Sequence, residues 1–186
     1  LKEANKFKGI NVVSVFINPT QFNDIKDFEN YPNTFDQDVK LLSKNNCEII
    51  FAPNINEMYP NGLETNKTVF EYRDILCDAF RPGHFDGVTT IVNLLLDILK
   101  PSNVFFGEKD FQQLKIVEKL IIQNKLKVNL VKCSSIRGLN GMSLSSRYTK
   151  LNTKEKTQFD ECAKIIDKNL LDLINSFDTK ILENIK

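Results

Sequence analysis

The stretch that decides the fold is NVFFGEKDFQQL, residues 103–114. It begins as a short apolar run of strand length, passes through one glycine, and continues with apolar residues at helical spacing from Phe111 onward. A strand, a short turn and a helix in direct succession form the repeating unit of folds in which helices cover a parallel sheet. Three charged residues, Glu108, Lys109 and Asp110, occupy the turn, which is costly unless something binds there.

The same alternation continues through the first 133 residues. Four apolar runs predict strands, at residues 12–17, 48–52, 103–106 and 128–131. Helical spacing lies between them, most clearly over residues 87–99, where Pro101 ends the helix. We therefore predict an α/β fold with a parallel sheet, in which ligands bind beyond the carboxyl ends of the strands.

The character of the chain changes after Cys133. Residues 134–147 are rich in serine and glycine and predict a loop, and a helical segment rich in lysine and aspartate follows. We place a domain boundary near Ser134, with residues 1–134 forming the first domain and residues 135–186 forming a loop and the start of a second.

Composition excludes several classes of function. The 186 residues are 41% hydrophobic and 26% charged with a net charge of +1, so charge gives no argument for nucleic acid or an anionic membrane as a partner. No apolar stretch approaches the roughly 18–20 residues of a membrane span, and the start lacks the apolar core of a signal peptide. Four widely spaced cysteines predict reduced, mostly buried thiols in a cytosolic protein. A single histidine excludes a multi-histidine metal site. The sequence does not identify the ligands of any other metal site.

Two polar clusters are candidates for binding small molecules. NPTQF, residues 18–22, offers the amides of Asn18 and Gln21, which suit a substrate carrying carboxylate and hydroxyl groups. The alternative is a polar turn that closes on its own backbone. In RPGHF, residues 81–85, His84 is either a catalytic base near neutral pH or, as is more common, a side chain that holds a loop.

The charged turn GEKD follows the third predicted strand. Gly107 can take a tight turn, and Asp110 has capping-box spacing with Gln113. This explains Asp110 but leaves Lys109 unexplained, because a lysine at a helix N-terminus is unfavourable by about 0.3–1 kcal/mol. A bound anion would make the positive charge of Lys109 favourable at this position. We therefore predict a phosphate or carboxylate site here, with Gln113 on the same helical face as Lys109.

The serine loop, which we define as residues 134–147, ends in three adjacent polar residues, Ser145, Ser146 and Arg147. Hydroxyls and a guanidinium suit phosphate oxygens, and glycines such as Gly141 allow a loop to close over a nucleotide. The alternative is a solvated linker. Neither the P-loop pattern nor the G-x-G-x-x-G fingerprint occurs in the sequence.

Six motifs in order resemble the pantoate–β-alanine ligase (pantothenate synthetase) family over about residues 12–147: SVFINPTQF, YPNTFDQDVKLL, FAPNINEMYP, RPGHFDGVTTIV, FFGEKDFQQL and IRGLNGMSLSSR. The resemblance implies a Rossmann-like sheet of the nucleotidyltransferase type and a smaller C-terminal α+β domain, shortened here. It also implies condensation of pantoate with β-alanine using ATP and Mg²⁺, through a pantoyl-adenylate, with release of AMP and pyrophosphate. The family is usually a cytosolic homodimer.

The resemblance also implies roles for individual residues. Gln21, with Asn18 nearby, is similar to the pantoate and β-alanine contact, and Gln113 to a second pantoate-binding glutamine. Lys109 and Arg147 would converge to stabilise the reacting anions. Positions similar to the family's ATP site are Gly107, Glu108, Lys109, Asp110, Ile136, Leu144, Ser145, Ser146 and Arg147.

The match departs from the family pattern in three places. The family's H-x-G-H loop cannot be present, because His84 is the only histidine. We therefore expect the family's first strand and its loop to be missing, which would leave a gap or an exposed edge in the sheet. Gly138 and Asn140 stand where acidic residues are usual, and Tyr148 stands where Asn is common. We therefore expect residues 1–186 alone not to make pantothenate. The alternatives are a non-catalytic nucleotide-binding or scaffold module, or an adenylyltransferase for another acid.

Overall fold

The computed structural model describes residues 1–66, 68–145 and 147–176 of the chain. The chain divides into two compact units, Leu1–Cys133 and Ser134–Lys186, and each is described by itself. The assignment of these units to an ATP- and pantoate-binding domain and a C-terminal domain stays a prediction.

The first unit contains four short strands. They are β1 (Val12–Ser14), β2 (Ile49–Phe51), β3 (Asn103–Gly107) and β4 (Asn129–Cys133). β1 pairs with β2 and β3 with β4, and both pairs are parallel, as the sequence predicts. Among the described residues the pairs form two separate two-stranded sheets, consistent with an α/β fold of Rossmann type.

The described residues of the first unit also include six α-helices. They are α1 (Ile25–Glu29), α2 (Phe35–Ser43), α3 (Ile55–Met58), α4 (Leu76–Phe80), α5 (His84–Leu99) and α6 (Phe111–Gln123). The core lies where the apolar faces of α5 and α6 meet, because their helical spacing aligns these side chains on one face. The helix residues of this core include Val88, Ile91, Val92, Leu96, Ile116, Val117 and Leu120. Phe51, Val104 and Leu130 pack on the cluster from the strands, so both sheets share one core.

The helix predicted over residues 87–99 begins three residues earlier than expected. Gly83 precedes it with φ +77°, a conformation that glycine adopts without penalty, and this turn allows α5 to start at His84. The early start matters because it places His84 in the first turn of the helix.

The turn before α6 also differs from expectation. Residues Glu108–Asp110 form a 3₁₀ turn, and Asp110 stands at the N-cap of α6 without a side-chain capping bond. The predicted capping box with Gln113 is therefore wrong. Since Lys109 lies before the helix, the inference that it shares a helical face with Gln113 is also wrong.

A strained segment, residues 72–77, leads into α4. Tyr72, Asp74 and Leu76 all have positive φ values, of 61°, 58° and 49°. The Gln112 side chain holds the segment through three hydrogen bonds of 2.9 Å. Its Nε2 donates to the carbonyls of Tyr72 and Ile75, and its Oε1 accepts from the backbone N–H of Cys77.

An ion-pair network anchors the same segment to α5. Arg73 Nε donates to Asp78 Oδ2 at 2.9 Å, and its Nη1 donates to Asp86 Oδ1 at 2.8 Å. The Asp78 side chain is only 3% exposed. Its Oδ1 is buried with no hydrogen-bond partner among the described residues. Asp78 therefore depends on Arg73 for compensation of its charge.

The cysteines are free, as predicted, but they are not mostly buried. Cys47, Cys77 and Cys133 are half-buried and Cys162 is exposed. Within the described ranges, the helices include none that is both long enough and apolar enough to cross a membrane.

The described residues of the second unit include the serine loop, a 3₁₀ turn at Tyr148–Lys150 and one long helix, α7 (Thr153–Ser176). The loop contains a short hairpin closed by an antiparallel bridge between Arg137 and Ser143. Gly141 turns the hairpin with φ +79°.

Candidate functional site

The NPTQF turn follows β1, beyond the carboxyl end of the strand. Pro19–Gln21 form a 3₁₀ turn, and the Asn18 side chain before it is 2% exposed. Asn18 Nδ2 donates to the Gly87 carbonyl at 3.1 Å, and its Oδ1 accepts from Tyr59 Oη at 2.7 Å and from Thr20 Oγ1 at 3.0 Å. The amide of Asn18 is thus committed to holding the turn.

The RPGHF cluster holds the same turn from α5. His84 Nδ1 lies 2.7 Å from the Gln21 carbonyl oxygen, and Arg81 Nη2 donates to that oxygen at 3.1 Å. A carbonyl only accepts, so Nδ1 of His84 carries the proton. In the neutral ring Nε2 is therefore free to accept from Arg81 Nη1, 3.3 Å away. This confirms the interpretation of His84 as a residue that holds a loop.

The environment of His84 favours the neutral ring. Burial lowers its pKa, the Gln21 carbonyl opposes that shift, and the Arg81 guanidinium lowers the pKa further. The Asp78 and Asp110 carboxylates act in the opposite direction and raise the pKa.

Gly87 allows the closest approach in this region. A Cβ atom added there would lie 2.3 Å from the Thr20 carbonyl oxygen and 2.8 Å from the Gln21 nitrogen. Every other amino acid would therefore push the turn away from α5. The turn is fixed both by hydrogen bonds and by backbone contact.

The GEKD turn presents its polar groups to solvent. Gly107, Glu108, Lys109 and Asp110 are exposed, and Gln113 is half-buried in the first turn of α6. No carboxylate in the described part of the chain forms an ion pair with Lys109. The Asp110 side chain makes no capping bond to the first backbone N–H groups of α6.

None of the described residues of the serine loop is buried. Ile136 is 75% and Leu144 is 61% exposed, and Arg147 is exposed as well. Ser145 Oγ accepts from the Arg147 backbone N–H at 3.2 Å. Ser146 lies outside the described residues. Lys109 belongs to the first unit and Arg147 to the second, and their convergence stays a prediction.

Sequence reasoning missed three residues that build the NPTQF turn: Tyr59, Arg81 and Gly87. Their contacts with residues 18–21 cross 39 or more positions of the chain, which local patterns cannot reveal. A signal existed for Gly87, because a glycine inside a helix is unfavourable and calls for a packing reason. The described residues contain no group of three or more His, Cys, Asp or Glu side chains arranged to hold a metal ion.

Comparison with known proteins identifies the family to which the chain belongs. The fold is that of solved pantothenate synthetases, with their nucleotidyltransferase-like architecture. The Pantoate-beta-alanine ligase family model matches residues 1–184. The chain therefore belongs to the pantoate–β-alanine ligase family.

Individual relatives agree with this assignment. A pantothenate synthetase from Sulfurihydrogenibium sp. is 41% identical over 180 residues, which cover 97% of this chain and 63% of the relative. One from Buchnera aphidicola is 42% identical over 94% of this chain and 62% of its own length. The crystal structure of the Francisella tularensis ligase, complexed with beta-gamma ATP and beta-alanine, has 34% identity, a TM-score of 0.85, and coverage of 89% of this chain and 64% of that one. The chain thus spans somewhat less than two thirds of these relatives.

Proposed function

We propose that this chain is the ATP- and pantoate-binding part of an enzyme that condenses pantoate with β-alanine. Membership of the ligase family supports this proposal, as does the complex of the Francisella relative with beta-gamma ATP and beta-alanine. The observation that carries it is the clamp on the Gln21 carbonyl by His84 and Arg81, which fixes the backbone that presents the Gln21 side chain. On family resemblance alone, the enzyme is a cytoplasmic homodimer.

The proposed reaction has two steps. A carboxylate oxygen of pantoate attacks the α-phosphorus of ATP, the bond to the bridging oxygen breaks, and pyrophosphate leaves. The amine of β-alanine then attacks the acyl carbon of the pantoyl-adenylate and loses a proton as AMP leaves. Gln21 and Gln113 would hold pantoate for in-line attack, while Asn18 positions Gln21.

Electrostatics set the main difficulty of the first step, because a carboxylate must approach a polyanionic nucleotide. Two unit charges about 4 Å apart repel by roughly 4 kcal/mol at an effective dielectric near 20. Lys109 and the uncapped start of α6 would offset this repulsion from the first unit, with Gly107, Glu108 and Asp110 beside the nucleotide. Ser145, Ser146 and Arg147 would do so from the serine loop, with Ile136 and Leu144 lining the nucleotide site.

Magnesium fits this proposal as part of the nucleotide complex. Mg²⁺ is commonly held by substrate phosphates, water and one or two carboxylates. The described residues lack a ready-made cluster of three carboxylate, imidazole or thiolate ligands, so a cage built by the protein does not fit. A single carboxylate in the exposed GEKD turn, that of Glu108 or Asp110, could contact a nucleotide-bound ion.

Replacing Lys109 tests the proposal in the complete gene product. Lys109→Ala should reduce pantoate-dependent ATP–pyrophosphate exchange by about 10²–10³-fold, the usual effect of removing one preorganised charge partner of the transition state. Lys119→Ala is the matched control, since it removes an exposed lysine of α6 that pairs with Glu71 at 3.3 Å. That control should retain exchange within about twofold.

Two outcomes would contradict the proposal. Unchanged exchange in Lys109→Ala would remove this residue from the mechanism. ATP binding by the unmodified gene product without any exchange would favour the nucleotide-binding module instead.

A further inference from the structure

Two polar side chains of the second unit share one carboxylate. Asp160, in the second turn of α7, accepts from Asn140 Nδ2 at 2.6 Å through its Oδ1. Tyr148 Oη donates to the same group, at 3.1 Å from Oδ1 and 3.2 Å from Oδ2. Asn140 precedes the Ser145–Arg147 stretch and Tyr148 follows it directly, so both sides of that stretch are tied to one point on α7.

Each donor is fixed by further contacts. Asn140 Oδ1 accepts from the Met142 backbone N–H at 3.1 Å, which shapes the hairpin in the serine loop. The Tyr148 ring packs against Phe159, with centroids 5.4 Å apart, and Lys156 Nζ lies 5.7 Å from the centre of the Tyr148 ring. Desolvation raises the pKa of Tyr148, and the bond to Asp160 raises it further, so the hydroxyl remains a donor at neutral pH.

The residue type at position 140 matters for this contact. The Asn140 amide donates to Asp160 at 2.6 Å, whereas a carboxylate at position 140 would repel Asp160.

We propose that Asp160 is a positioning residue that holds the serine loop through Asn140 and Tyr148 and thereby sets the affinity for the nucleotide. The inference rests on the proposed function, since it assumes that Ser145 and Arg147 bind phosphate. Asp160 itself need not touch the nucleotide. Its contacts lower the entropy that the loop must lose when it orders around phosphate.

The test combines amide exchange without nucleotide with steady-state kinetics on the complete gene product. In Asp160→Ala and in Tyr148→Phe, exchange over residues 136–145 should become several-fold to about tenfold faster, because a hydrogen bond to a charged group is lost. The KM for ATP should rise by a similar factor, while the KM for pantoate and kcat stay within about twofold. The double variant should be no worse than Asp160→Ala alone, because both changes remove the same contact.

Controls separate the possible failures. Glu161→Gln removes a neighbouring exposed carboxylate of α7 and should change neither exchange nor KM. Tyr148→Phe removes only a hydroxyl, so it tests the proposal even if Asp160→Ala fails to fold. Unchanged exchange in Tyr148→Phe would overturn the inference, and so would faster exchange with an unchanged KM for ATP. Failure of the proposed function would instead appear as normal nucleotide affinity in Arg147→Ala.

Discussion

The NPTQF turn and the serine loop are both predicted to bind substrates, yet they are held in different ways. The turn is fixed from inside the core of the first unit, by a buried Asn18, by His84 and by direct backbone contact with Gly87. The described residues of the serine loop are half-buried or exposed, and hydrogen bonds from Asn140 and Tyr148 to Asp160 tie both sides of the Ser145–Arg147 stretch to α7.

This difference predicts that the two regions open with different ease. A turn fixed by buried contacts opens only with the core around it, so the acid would meet a site that is already formed. A loop without buried residues opens at lower cost, which under the proposed function would let it admit ATP and release products.

The largest expected effect comes from breaking the anchor of the first unit. Arg73→Ala should lower the free energy of unfolding by about 3 kcal/mol, because it leaves the buried carboxylate of Asp78 without its partner. Urea denaturation measures the loss, and Arg73→Ala/Asp78→Ala should recover part of it. Lys6→Ala is the control, since it breaks an ion pair whose lysine side chain is 62% exposed and should cost less than about 1 kcal/mol. Equal losses in the two single variants would contradict the buried role of Arg73.

A change at the contact between α5 and the turn should have the next largest effect. Gly87→Ala forces a Cβ to within 2.3 Å of the Thr20 carbonyl oxygen, so the turn must shift. We expect a loss of about 1–3 kcal/mol in unfolding free energy and a raised KM for pantoate with little change in the KM for ATP. Gly107→Ala controls for stability, because no atom lies within 4 Å of its added Cβ and its φ of −76° suits alanine. A normal pantoate KM in Gly87→Ala would show that the turn does not hold the acid.

The smallest expected effect is a pH dependence that belongs to His84. Its folded-state pKa is lowered, so the unfolded chain takes up a proton that the folded chain resists. The stabilisation is complete above about pH 6.5 and is lost as the pH falls below that value, with a slope of at most about 1.4 kcal/mol per pH unit for one proton. The charged groups acting on the ring are Arg81, Asp78 and Asp110.

Urea midpoints between pH 7.5 and 5.5 measure this slope. His84 is the only histidine, so His84→Gln should flatten the dependence in this range. The carboxyls whose pKa is lowered, those of Glu3 and Glu118, titrate below this window. An equal slope in His84→Gln would assign the proton to another group.

Much of the fold could be predicted because its signals are local. The apolar runs and the 3.6-residue spacing locate all four strands and the two core helices α5 and α6, although the strands near residues 12 and 48 are shorter than predicted. The ends of the helices were less predictable. Asp110 has the spacing of a cap but its φ and ψ of −96° and 63° are not accompanied by a capping bond, since a 3₁₀ turn precedes the helix.

The candidate site was only partly predictable. Amides and charges at strand ends point to Gln21 and Lys109 without any knowledge of contacts. The clamp by Arg81 and His84 lies 60 and 63 positions from Gln21, so only the folded chain reveals it. The pairing of Asn140 and Tyr148 with Asp160 spans 20 and 12 positions and has no sequence pattern of its own.

The strained segment at the start of α4, residues 72–77, stores conformational energy. Tyr72, Asp74 and Leu76 have left-handed backbone conformations, each of which costs about 1–3 kcal/mol. Hydrogen bonds of the Gln112 side-chain amide hold the segment in this conformation. The next residue along the backbone is Gln113, the proposed grip on pantoate. One peptide bond therefore joins the proposed substrate contact to the residue that holds the strained segment.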